Sequence, residues 1–140
     1  MTALPPPLST RLRRGDLMSP ACPSREVLRH VTSRWGVLIL IALEDDTLRF
    51  SALRRRVGGV SERMLAQTLQ WLADDGLVAR HDHAVIPPHV DYSLTPLGRE
   101  AAAHVRALAD WIETRLPQIA AQWPHAHPAP DQPRADAPTP

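Results

Sequence analysis

Four groups of residues in this chain have types and spacings that could do chemistry. Arg63, Gln67, Gln70 and Asp74 recur at three- and four-residue intervals behind Ser61. Arginine grips guanine O6/N7 and glutamine grips adenine N6/N7 with two hydrogen bonds each, so such a row suits the edges of bases. Arg54-Arg55-Arg56 lies just upstream, and Arg80, His81, His83 and His89 lie downstream. These are side chains that bind phosphate oxygens. Cys22 stands before Pro23 at the start of a helical pattern, where the positive end of a helix favours a reactive thiolate. Last, His81-Asp82-His83 and His125-Ala126-His127 have the short spacing of metal ligands. Neither pair brings the further ligands that a closed site needs, so no metal is expected.

Enzyme chemistry finds little support. The chain has no glycine-rich phosphate loop, no serine nucleophile elbow, no carboxylate pair and no His-Glu helix motif for a metal. No enzyme activity and no cofactor are expected.

The elements that must position these groups follow from periodicity and breakers. A first helix is expected from Cys22-Pro23, with Val27, Leu28 and Val31 on one face; proline suits a first turn because its missing N–H has no intrahelical partner there. Ser33 caps a second helix, Trp35 to Leu43, apolar on nearly every side and therefore central. An extended piece near Leu48 leads to a third helix from Phe50 to Val57, broken by Gly58-Gly59. Ser61 caps a fourth helix to about Asp75, with Leu65, Leu69 and Leu72 inward, and Gly76 ends it. Helix, tight glycine turn and second capped helix form a helix-turn-helix pattern. Leu77–His81 reads as a strand, 82–89 as a loop, and Val90, Tyr92 and Leu94 alternate as a second strand, together a wing. Thr95-Pro96 starts a last helix whose stripe runs Leu97, Ala101, Val105, Leu108, Ile112 and Leu116.

Composition bounds the rest. The chain has 140 residues, enough for one domain with tails. Many of its 15 prolines lie near the ends, so residues 1–20 are expected to be a disordered arm and 123–140 a disordered Pro/Ala-rich tail, around a domain at 21–122. All 16 basic residues are arginine, which suits nucleic acid but also follows from GC-rich codons. One cysteine allows no intrachain disulfide. No segment is apolar and long enough to span a membrane, and prolines and arginines precede any apolar run, unlike a secretory signal. The cytoplasm is the expected compartment.

From Cys22 to about Leu116 the chain resembles the HxlR-type (MarR-like) winged helix-turn-helix regulators. The resemblance rests on Cys22-Pro23, Arg34-Trp35, Arg49-Phe50-Ser51-Ala52-Leu53, Ser61-Glu62-Arg63-Met64-Leu65 and Asp75-Gly76-Leu77-Val78, in that order. Its most specific piece is Pro87-Pro88-His89-Val90-Asp91-Tyr92-Ser93-Leu94-Thr95-Pro96-Leu97-Gly98. It implies a mainly α fold with a small β wing and a C-terminal dimerisation helix, in a bacterial or archaeal homodimer that binds double-stranded DNA. It also implies departures: His89 stands where arginine is usual, and Trp71 where a polar residue is common. Some relatives use the cysteine at this position to sense oxidants or electrophiles.

On this basis Arg63, Met64, Gln67, Thr68 and Gln70 are the expected base contacts. Ser61, Arg54, Arg55, Arg56, Arg80, His83 and His89 are the expected phosphate contacts. Trp71 is expected to pack on the wing or a partner. Val105, Leu108, Ile112 and Leu116 are expected to dimerise the chain, giving an inverted-repeat operator. Two alternatives stay open. A protein-interaction module would want an apolar outer face on the fourth helix. A non-specific DNA binder would want more net charge than +1.

Overall fold

A computed structural model describes residues 17–124. Most of the expected arm and tail, including His125 and His127, lies outside the described residues. The chain divides into two compact units, one up to Ala107 and one from Leu108 onward.

Among the described residues the first unit is built from helices α1 (Ser24–Thr32), α2 (Arg34–Ala42), α3 (Phe50–Arg56) and α4 (Glu62–Asp74), strands β1 (Leu48–Arg49), β2 (Val78–His83) and β3 (His89–Leu94), and the start of α5 (Pro96–Ala120). The helix-turn-helix and wing occur in the expected order. Helix α1 starts later than expected: Pro23 holds the N-cap position, with no side-chain capping bond, and Cys22 lies outside the helix. Its buried residue is His30, whereas Val27 and Leu28 are exposed.

Helix α2 is held at its start by Ser33 Oγ, which accepts from the Gly36 amide at 3.1 Å. Ile39 and Leu40 are fully buried, and Trp35, Val37 and Ile41 pack partly against the same core, so α2 is central as its composition requires. Leu38 alone of its large apolar side chains is exposed. Leu53 of α3, Leu65, Leu69 and Leu72 of α4, and Val78, Tyr92 and Leu94 of the sheet complete the core. Burial of this continuous apolar set is what fixes α4 against α2.

The sheet is three-stranded and antiparallel in the order β1-β3-β2. The short extended piece near Leu48 is thus a true edge strand, pairing Leu48 with Tyr92 and Arg49 with Asp91. β2 pairs with β3 from Val78 opposite Leu94 to His83 opposite His89. Because strand side chains alternate, Val78, Tyr92 and Leu94 turn inward, and His81, His83, His89, Asp91 and Ser93 share the other face.

Thr95 closes the junction to α5. Its hydroxyl donates to Gly76 O at 2.6 Å and accepts from the Gly98 amide at 3.0 Å. Gly98 is required by this close approach: a Cβ there would sit 1.9 Å from Leu77 O. Arg106 Nε bonds Glu44 Oε1 at 2.8 Å, tying α5 to the end of α2. Val105 is 7% exposed and belongs to the chain's own core. That corrects its assignment to a partner surface: it continues the buried row of Gly98, Ala102 and Val105 at helical spacing.

In the second unit α5 continues to Ala120, with Thr114 Oγ1 donating to Asp110 O and Arg115 to Gln118 Oε1. Leu108, Trp111, Ile112 and Leu116 are 51, 57, 42 and 43% exposed. Among the described residues no helix is long and apolar enough to cross a membrane.

Candidate nucleic-acid interface

The outward face of α4 is a polar surface held in place by the core beneath it. Ser61 caps the helix, its Oγ accepting from the Met64 amide at 3.1 Å. Ahead of it Val57 and Val60 are buried, and the turn between them uses Gly59 at φ 88°, a backbone state that a side chain would strain. Leu65, Leu69 and Leu72 point into the core. A helix pinned along one side this way presents the other side in fixed register, and Arg63, Met64, Gln67 and Gln70 are exposed there. Arg63 makes no ion pair among the described residues. Gln70 donates to Asp74 Oδ1 at 2.8 Å, so its amide is engaged in the free protein.

Thr68 is a correction. It is 1% exposed, and its hydroxyl donates to Met64 O at 2.7 Å. Position 68 lies three residues after Leu65 and four before Leu72, on the buried stripe, and cannot reach a base.

The three arginines of α3 separate. Arg54 reaches across the turn to Glu62 Oε1 at 3.0 Å and to Val60 O at 3.5 Å, bracing the start of α4. Arg55 and Arg56 are exposed. Any phosphate role for Arg54 therefore competes with Glu62.

The wing is a hairpin whose outer end lies beyond the core. Residues 80–88 are all exposed. Arg80 lies 3.7 Å from Asp82, a solvated pair of small energetic weight. His83 Nε2 lies 2.6 Å from Asp91 Oδ2, His89 Nε2 lies 4.0 Å from the same oxygen, and the two imidazoles stack at 4.4 Å. His81 bonds Ser93 Oγ at 3.1 Å. The wing thus gathers His83, His89 and Asp91 into one group of potential metal ligands. The short His81-x-His83 motif gave no sign of it, because the ligands come from two strands and meet only through register.

A second cluster also escaped the sequence. His30 Nδ1 bonds Asp75 Oδ2 at 2.6 Å and its ring stacks on Trp71 at 5.2 Å, with the Arg29 guanidinium 4.9 Å from the Trp71 ring centre. Trp71 therefore packs on α1 rather than on the wing. Buried polar groups need such partners, and here they lock α1 to the C-terminal end of α4. Arg29 also donates to Glu26 at 2.9 Å, and this hydrogen bond and its charge hold the Glu26 carboxyl below the usual carboxylate range. Cys22 is half-buried ahead of α1.

Comparison with known proteins gives a consistent picture. The model of the HxlR-like helix-turn-helix family matches residues 30–120. The HTH-type transcriptional regulator YtfH of Escherichia coli is 61% identical over 114 residues, 81% of this chain and 90% of YtfH. The solved structure of a YtfH regulator from Salmonella typhimurium is 65% identical, with a TM-score of 0.73 over 76% of this chain and 95% of that one. The redox regulator HypR in its reduced form is similar at 29% identity, with a TM-score of 0.65 over 71% of this chain and 98% of HypR.

Proposed function

This chain belongs to the HxlR-like helix-turn-helix family of DNA-binding transcriptional regulators, and we propose that it works as a homodimer reading an inverted-repeat operator. The observation that carries the proposal is the capped, core-anchored helix α4 with Arg63, Met64, Gln67 and Gln70 on its open face. Arg63 and Gln67 read base edges, each worth roughly 1–3 kcal/mol of discrimination. Ser61, Arg55, Arg56, Arg80, His83 and His89 set the register on phosphates. In a bacterium or archaeon, where no nucleus encloses the chromosome, such a protein works in the cytoplasm.

The dimer is supported by the exposed row Leu108, Trp111, Ile112 and Leu116 on α5. A row of large apolar side chains at three- and four-residue spacing is the pattern of helix pairing. Two copies related by a two-fold axis place their recognition helices about 10 bp apart, or a multiple of it.

Cys22 supplies the signal input in this proposal. The similarity to HypR, a redox regulator, supports an input of that kind. The Cys22 thiolate adds to an electron-poor alkene such as a quinone: an S–C bond forms, the C=C pair shifts along the ring as the conjugated carbonyl pair moves onto oxygen, and water protonates that oxygen. The ring proton on the sulfur-bearing carbon then passes through solvent to the second carbonyl oxygen, giving the hydroquinone thioether. No further oxidant is consumed. Peptide mass spectrometry after quinone treatment checks this, with a Cys22 adduct and weaker DNA binding expected. An unmodified Cys22 would remove the sensing role while leaving DNA binding in place.

The experiment for the main proposal selects bound fragments from random duplex DNA and measures affinity over a salt series, with sedimentation to define the oligomer. Enrichment of an inverted repeat, a dimer at micromolar concentration and an affinity gap that persists as salt rises are expected. Equal binding to all sequences that collapses with salt would mean phosphate contacts alone. No binding would favour a protein-interaction module.

A further inference from the structure

We infer that the wing carries a site for a first-row divalent transition ion, held by His83, His89 and Asp91. The three side chains leave the same face of the β2–β3 hairpin. His83 is the direct cross-strand partner of His89, and Asp91 lies two residues further along β3. Register therefore brings the donors together without a dedicated loop. Their ligand atoms all fall within 4.8 Å of one another.

The spacing suits a shared ion. Bonds of about 2.0–2.2 Å to nitrogen and oxygen set tetrahedral donors about 3.3 Å apart. The separations of His83 and His89 from Asp91, 2.6 and 4.0 Å, bracket that value. Both imidazoles are partly exposed, which leaves their rings room to rotate toward a shared ion. Two imidazoles and one carboxylate favour zinc, nickel, copper or cobalt over magnesium and calcium, which take oxygen. Three protein ligands leave a position open to water. His81 stays outside the set, held by Ser93.

Occupancy also changes the electrostatics of the hairpin. With neutral imidazoles the triad carries the single negative charge of Asp91. A divalent ion turns this into a single positive charge. The ion site itself does not depend on the DNA-binding proposal, and its test uses no DNA.

The full chain, without an affinity tag and stripped with chelator, is titrated with cobalt(II) and then with zinc. Visible ligand-field bands that saturate at one ion per chain, and their stoichiometric loss to zinc, are expected. His83→Ala and His89→Ala, each alone, should weaken binding at least about tenfold, since even second-shell losses cost that much. Both positions lie outside the core, so the metal-free variants should unfold at the same midpoint as the parent. The double variant His125→Ala/His127→Ala should bind as the parent does. Absence of bands, binding that survives in both wing variants, or loss of binding in the tail variant would overturn the site.

Discussion

Helix α4 and the wing both present polar surfaces on one small sheet-and-helix core, and they are held in opposite ways. Helix α4 is anchored by four buried side chains, Leu65, Thr68, Leu69 and Leu72, and Arg63 on its open face has no ion pair among the described residues. The wing has no buried residue past Val78 on β2, and its outer charges engage one another, as in His83–Asp91 and Arg80–Asp82. Specificity is expected of the first arrangement and adjustability of the second. A side chain on a rigid element with no internal partner can be spent on a base edge. A hairpin fixed by cross-strand polar pairs changes its charge and shape when those pairs change.

The largest expected contrast is in stability. Leu69→Ala in the anchored helix should cost about 2–5 kcal/mol, seen as a lower denaturant midpoint. His83→Ala on the wing should stay within about 0.5 kcal/mol of the parent. Equal losses would mean that the wing is part of the core's cooperative unit.

Next comes the oligomer. Ile112→Glu puts a charge into the exposed apolar row of α5 and should shift sedimentation toward monomer, with affinity for a full operator falling to that of a half-site. An unchanged dimer would move the interface elsewhere.

A smaller contrast separates readout from positioning. Arg80→Ala on the wing should weaken all sequences alike and lower the salt slope by about one. A change in sequence preference would give the wing a share of base reading. Smallest of all, Thr68→Val should leave the selected sequence unchanged and stability within about 1 kcal/mol, because the hydroxyl bonds only its own helix.

Much of this was legible in the residues themselves. Ser33, Ser61 and Thr95-Pro96 announced three helix starts, and Leu65, Leu69 and Leu72 announced the inner face of α4. Polar identity hid what spacing disclosed at Thr68, which sits on that same stripe. Val105 poses a related difficulty: an apolar stripe reads the same whether it meets its own core or stays at the surface, and burial gives way to exposure between Val105 and Leu108. His30 with Asp75 is 45 residues apart in sequence, and His83 with Asp91 depends on a register that no local pattern states. Long-range polar pairing is the part that a single sequence encodes least openly.

Base reading by the open face of α4 is the property on which the proposed function turns. Its most direct test measures the parent and Arg63→Ala against the selected operator and every single-base-pair variant of it, at one salt concentration. The parent is expected to discriminate at each half-site position by roughly 1–3 kcal/mol, and Arg63→Ala to lose discrimination at one symmetry-related pair of positions while keeping it elsewhere. A uniform loss across all positions would make Arg63 a phosphate contact and rule out base reading by it.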